Sequence, residues 1–303
     1  MASRRILHVV AALAVCIGLA FAGPISNAHA DVVYANGTSP GDSYTNASGT
    51  NQGQAVGLSG WYYNNVRNNG SVGINNTYPQ AGNASAQLII TQGPGGASSK
   101  ADIEFLAGGT LFSGNYFANA SLGSFSDLTF MQYDWYRDSI STNSAGQHPA
   151  LRVLLDRDGN LATTGDRGGL VFERAYNGGG VVTDAWITDT VSANTNVWNF
   201  GLGLGNEYNI DSTPYAFDGT LSEWQSFLPN AVILGFSSGV GSGWGPFYGA
   251  VDNIGWLIDG ENSSYNFEVQ RVAATPEPGT MLLMGVGVAG VVFMKRRKAK
   301  AVC

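Results

Sequence analysis

The sequence predicts an all-β chain whose body is a single β-sandwich. Charged residues are only 12% of the 303, about half the usual quarter, whereas Gly is at 42, about twice its ordinary share. Aromatics reach 11%, too many for a disordered chain. Short apolar runs alternate with period two and are separated by Gly-rich turns, the pattern of half-buried strands. The Gly residues follow no triplet period, which excludes collagen.

Residues 1–30 read as a secretory leader. Arg4 and Arg5 form its positive start, Ile6 to Ala22 its apolar stretch, and Ala28-His29-Ala30 its small-residue cleavage pattern, placing the mature N-terminus at Asp31. Export of that kind implies the Sec translocon as a partner.

The sandwich is expected over 31–272. Its first part, 31–80, holds much Asn, Gly, Ser and Thr, including six Asn between Trp61 and Asn76, and reads as a loosely packed strand region. Strands are expected at 86–91, 101–106, 128–137, 150–156, 170–175, 181–188, 231–237, 249–258 and 265–269. In 129–135, alternation puts Met131, Tyr133 and Trp135 on one face and Phe130, Gln132 and Asp134 on the other. Turns such as Asp158-Gly159-Asn160 and 177–180 punctuate the strands. The single expected helix is 221–228. Thr220 precedes it with Glu223 three residues on, the spacing of a capping box, and Pro229 stops it.

Charge narrows the function classes. Arg4, Arg5, Lys295, Arg296, Arg297, Lys298 and Lys300 take seven of the 15 basic residues to the two ends. The stretch between keeps eight against all 22 acids, a net −14, which argues against nucleic acid as a partner. Cys16 and Cys303 also lie at the ends, so the body has no internal disulfide, Cys nucleophile or thiolate metal site. His148 is its only histidine and sits in a polar run, 143–149, that reads as a solvated loop.

Exposed aromatics beside turns are the usual platform for a pyranose ring, with neighbouring amides and carboxylates reading its hydroxyls. Trp244 and Tyr248 flank a Gly-rich turn with Asp252 and Asn253 just beyond, and form the candidate glycan-binding set. The competing reading makes Trp244 a core plug and has Asp252 and Asn253 satisfy turn amides. Trp61, Tyr62 and Tyr63 are a second aromatic group, while Trp186 and Trp198 are expected in the core. Asp156, Asp158, Asn160 and Asp166 are the candidate calcium ligands, since alternating carboxylates suit a hard cation. Leu161 and Arg167 occupy the positions where an EF-hand needs Gly and Glu, so any Ca²⁺ site would be irregular, and a solvated hairpin turn competes with it. Glycoside hydrolysis needs two facing carboxylates. Glu104, Glu173 and Glu268 lie on expected strands, but the pattern selects no pair and no catalytic residue is assigned.

The far end, 273–303, has three parts in order. Pro276-Glu277-Pro278 is rigid and non-helical, 279–294 is apolar and uncharged, and Lys295-Arg296-Arg297-Lys298 opens a basic tail to 300. Sixteen residues make about 24 Å of helix, short of a hydrocarbon core of about 30 Å, and snorkelling of Lys295 with bilayer thinning closes the gap. The basic cluster stays cytoplasmic by the positive-inside rule. This order resembles the PEP-CTERM sorting signal of Gram-negative bacteria. The resemblance implies an exosortase partner, a membrane enzyme that cuts near the Pro-Glu-Pro motif, an inner-membrane intermediate, and release or attachment outside the cell among exopolysaccharide. A permanent C-terminal anchor is the alternative. Residues 239–254, with the closing Tyr265-Asn266-Phe267-Glu268, are similar to the end of many PEP-CTERM bodies, which resemble jelly-roll sandwiches of the carbohydrate-binding-module and lectin type. That implies a non-catalytic module binding exopolysaccharide or serving structurally, with a glycan-active hydrolase as the alternative.

Overall fold

The computed structural model describes residues 30–91, 98–112 and 115–270. They build two antiparallel sheets packed face to face, a sandwich. Among the described residues no helix is long and apolar enough to cross a membrane, and the span expected at 279–294 lies outside them.

The eight-stranded sheet centres on the strand Phe247–Ile258, β16, which presents an inward row of Phe247, Val251 and Ile254. On one edge β16 pairs with β10 (Leu128–Arg137), which in turn pairs with β13 (Trp186–Val191). On its other edge it pairs first with β6 (Ser85–Ile90) and then with β17 (Glu261–Gln270). β6 continues through β5 (Gly70–Asn75) to β2 (Tyr44–Asn46), and β17 is flanked by β1 (Asp31–Thr38). The alternation in 129–135 holds: Met131, Tyr133 and Trp135 are core residues.

The seven-stranded sheet runs β14 (Trp198–Gly201), β12 (Arg167–Phe172), β11 (Ala150–Asp156), β15 (Val232–Val240), β7 (Lys100–Leu106), β4 (Trp61–Arg67), β3 (Gln52–Ala55). Its inner face gives Trp61, Tyr63, Ile103, Val153, Leu170 and Phe236 to the core. Phe236 stacks on Trp256 at 4.1 Å, and Trp61 meets Phe267 edge-on at 4.9 Å, so aromatic packing ties the two sheets together. A small hairpin, β8 (Thr110–Phe112) with β9 (Asn115–Phe117), stands outside both sheets. The helix α1, Leu221–Phe227, forms with its capping box complete. The Glu223 amide donates to Thr220 Oγ1 at 3.3 Å and the Thr220 amide donates to Glu223 Oε2 at 2.8 Å.

Four expectations are corrected. The Asn-rich segment is not loose: it supplies β1 to β5, and Trp61, Tyr63, Val66, Val72 and Ile74 are buried. Its Asn residues serve structure, as where Asn46 Nδ2 donates to the carbonyls of Thr50 and Val66 at 2.8 Å each. The strand expected at 181–188 starts late, at Trp186, because Asp184 takes a left-handed φ of 57°. The strand expected at 170–175 lies at 167–172, and a 3₁₀ turn at Arg174–Asn177 follows it. His148 is buried, meeting Trp135 edge-on at 4.5 Å. Its pKa falls to about 4, chiefly through burial, with the Arg174 and Arg137 charges adding.

Candidate functional site

The inward residues of the seven-stranded sheet leave the alternate ones pointing away from the core. Strand register lines six of these up across the sheet: Tyr62 opposite Glu104, Glu104 opposite Ser237, Ser237 opposite Arg152, Arg152 opposite Val171, Val171 opposite Trp198. Five inter-strand steps of about 4.8 Å make the row roughly 24 Å long. An aromatic ring stands at each end, with Glu104, Ser237 and Arg152 and the apolar Val171 between.

Two adjoining hollows lie over the Glu104-to-Trp198 part of this row; Tyr62 lines neither, its hydroxyl donating to the Gly109 carbonyl at 2.9 Å. One, of about 280 Å³, is lined by Asn64, Asn65, Glu104, Leu154, Arg167 and Phe200 among others. The other, of about 400 Å³, is lined by Arg67, Glu173, Trp198, Asn206, Glu207 and Trp244 among others. Lys100, Arg152 and Phe200 border both, so they form one groove.

A register shift between Asn64 and Arg67 in β4 shapes its floor. The shift, with Asn65 at a φ of 50°, lets consecutive residues reach the same cluster. Asn64 Nδ2 donates to Glu104 Oε2, and Asn65 Nδ2 donates to Glu104 Oε1 at 2.8 Å and to Asp102 Oδ2 at 3.1 Å. Asp102 is fully buried between Lys100 Nζ at 2.8 Å and Arg152 Nη1 at 3.1 Å. Gly239 makes this possible: a Cβ there would lie 2.0 Å from Asp102 Oδ1. Such a network needs every partner present, because a buried charge that loses one is strongly destabilising.

Burial is the main cause that pushes the Glu104 carboxyl above the usual carboxylate range. The Asp102 charge adds to it, and Asn64, Lys100 and Arg152 oppose it. Burial likewise raises Glu173, against the hydrogen bond it accepts from Trp198 Nε1 at 3.2 Å. The groove thus offers amide donors, a guanidinium and protonatable carboxyls between aromatic rings. That is the chemistry that reads hydroxyl-rich ligands.

Of the two sequence readings of Trp244, Tyr248, Asp252 and Asn253, the placement of Trp244 and Asp252 agrees with the core plug and the backbone-amide acceptor. Trp244 is buried, 7% exposed, and meets Phe247 edge-on at 5.8 Å, so it touches the groove only at its wall. Asp252 is fully buried on β16, where Oδ1 accepts the amides of Asn253 and Phe267, both at 2.9 Å. Tyr248 and Asn253 are half-buried, and Asn253 Nδ2 donates to Asp134 Oδ2 at 2.6 Å. These four residues form no exposed platform. Burial lifts the Asp252 carboxyl to about 7, against three backbone hydrogen bonds. Trp186 and Trp198, expected in the core, are half-buried, and Trp198 ends the groove row. Of the second aromatic group, only Tyr62 faces the groove side.

The calcium candidates divide. One carboxylate oxygen from each of Asp156, Asp158 and Asp166 lies within 4.8 Å of the others. Asn160 instead turns its side-chain oxygen to the Ala162 amide at 3.3 Å. Among the carboxylates named from the sequence, Glu104 and Glu173 line the groove, whereas Glu268 accepts the Asn83 amide at 2.6 Å elsewhere.

Pro276, Glu277, Pro278 and Lys295 to Lys298 lie outside the described residues, as does Ala28, while Ala30 directly precedes β1, which opens at Asp31. Residues 274–298 match the model of the PEP-CTERM protein-sorting motif. The chain carries a PEP-CTERM sorting motif. That motif marks an exported protein of the cell envelope or surface that an exosortase processes. No curated protein matches the chain.

Proposed function

We propose that the body of this PEP-CTERM protein is a non-catalytic module that binds exopolysaccharide along the groove of its seven-stranded sheet. The leader 1–30 is cut after Ala30, the span 279–294 holds an inner-membrane intermediate, and the exosortase then frees or attaches the folded body. The observation that supports binding is the groove in which the Trp198 and Phe200 rings adjoin Asn64, Asn65, Glu104 and Arg152. The rings stack on sugar faces, and the four polar side chains pair with hydroxyls beside them.

Binding is tested by affinity electrophoresis of the mature protein in gels cast with exopolysaccharide from the producing strain. Retardation that falls by about tenfold in Trp198→Ala, as loss of one stacked ring predicts, supports the reading. Retardation equal in wild type and Trp198→Ala refutes it. Sorting is tested by intact-mass analysis of cell and medium fractions. Wild type ending near residue 278, with the Pro276-Glu277-Pro278→Ala variant uncut in membranes, is the expected result; a retained Lys295–Cys303 tail in every fraction means a permanent anchor.

A second reading, a glycan-active hydrolase, is favoured by one observation. Glu104 is held towards its protonated form beside the buried Asp102, which suits a general acid. Release of reducing ends that disappears in Glu104→Gln supports this reading against the first.

A further inference from the structure

The hairpin joining β11 to β12 brings Asp156, Asp158 and Asp166 together through a ten-residue loop, 157–166. The loop fixes these groups by its own amides. Asp158 Oδ1 accepts the Asn160 amide at 2.8 Å, and Asp166 Oδ2 accepts the Asp158 amide at 3.1 Å. Such turns are common, and three acids alone make no site.

Asp156 adds an independent fact. Its side chain is fully buried, and Oδ2 accepts from Arg167 Nε at 3.2 Å. Oδ1 is buried with no hydrogen-bond partner. A buried carboxylate oxygen left without a donor costs a desolvation penalty that a native fold normally offsets. A single guanidinium contact leaves half of this carboxylate unsatisfied, on the side chain that faces two further acids.

We propose that Asp156, Asp158 and Asp166 bind one Ca²⁺ at the root of this hairpin. The donor set is all carboxylate oxygen, which selects a hard cation over zinc or copper. It is irregular and partly open to solvent, which suits the flexible coordination of Ca²⁺ with water completing the shell, and does not suit the strict octahedron of Mg²⁺. The ion supplies Asp156 Oδ1 with its missing partner and neutralises the repulsion among the three acids.

The position gives the ion a structural task. Arg167, paired with Asp156, also donates to the carbonyls of Ala118 at 3.2 Å and Leu161 at 3.0 Å, and it lines the groove. An ion on Asp156 therefore fixes the hairpin that carries one groove residue, whatever that groove binds.

The test titrates CaCl₂ into chelator-stripped mature protein by calorimetry, with MgCl₂ in parallel, and follows Tm. One equivalent should bind with Kd of about 10⁻⁴ to 10⁻³ M, the range of extracellular calcium modules, and Tm should rise. MgCl₂ should give no comparable heat. Because Asp158 is exposed, Asp158→Asn should match the stripped wild type in Tm while binding Ca²⁺ roughly tenfold or more weakly, one ligand charge being lost. Absence of heat and of any Tm change in wild type means that Asp156 Oδ1 is met by water, and overturns the proposal. So does Asp158→Asn binding as tightly as wild type.

Discussion

His148 gives the sharpest quantitative test of the interior. It is the only histidine after residue 30, so its signal needs no assignment in the mature protein. Its pKa falls from 6.5 to about 4 through burial, helped by Arg174 and Arg137. A base with a lowered folded pKa binds its proton more tightly in the unfolded chain. Its contribution to stability is therefore full above pH 6.5 and is lost as the pH falls towards 4. Lowering the pKa from 6.5 to about 4, at about 1.36 kcal/mol for each tenfold change in proton affinity, makes that loss about 3 kcal/mol. His148→Gln removes the titration and the ring contact with Trp135, the second being a pH-independent cost. The difference in urea-unfolding free energy between wild type and variant should thus shrink by about 3 kcal/mol between pH 8 and pH 4. Proton NMR reads the same quantity directly from the imidazole signal. A midpoint above pH 6, or a difference constant across the range, would mean that burial does not hold the imidazole neutral.

Two further outcomes follow from buried acids. Asp252, raised to about 7 by burial, contributes stability that is full below pH 3.8 and lost as the pH rises through 7. Asp252→Asn should therefore gain on wild type by up to about 4 kcal/mol between pH 4 and pH 8 in chemical unfolding, and no change in that difference would sink the assignment. In Gly239→Ala the new Cβ forces Asp102 away from Arg152, so stability should drop by about 1–3 kcal/mol and exopolysaccharide retardation should weaken with it. A variant as stable as wild type would show that the Asp102 network yields without cost.

Local pattern was legible where the chain says one thing at a time. The strands 128–137 and 150–156 were readable to the residue, because each is a run rich in apolar and aromatic side chains bounded by polar turns. The helix 221–227 was readable from Thr220, Glu223 and Pro229. The segment before residue 80 was not, since turn-forming Asn sits inside its strands: the shift at Asn64 to Arg67 breaks the alternation that would have shown Trp61, Tyr63 and Val66 on one face. Polar neighbours likewise hid the burial of His148, a loop residue that packs on Trp135 of β10. The groove illustrates the general limit. Glu104 is visible as an acid on a strand and Glu173 lies just past the end of β12, yet their sharing one groove depends on sheet order β7, β15, β11, β12 and on register, which no local pattern encodes. Trp244 was open between core plug and glycan platform, because a Gly-flanked Trp looks the same in either place, and its burial against Phe247 agrees with the plug.

The first strand of the body is sealed by the last. β1 flanks β17, and β17 delivers Phe267 to the centre of the core. On the proposed Sec route, which threads the chain from its N-terminus, the opening strand emerges with its hydrogen-bonding edge vacant and waits through more than 200 residues for its neighbour. Sheet completion is postponed until Gln270 has crossed, a few positions before the sorting motif begins at 274. Closure of the fold and arrival of the cleavage signal are thus nearly simultaneous events in the life of the chain. An exosortase that meets Pro276-Glu277-Pro278 meets a polypeptide whose final strand has only just become available.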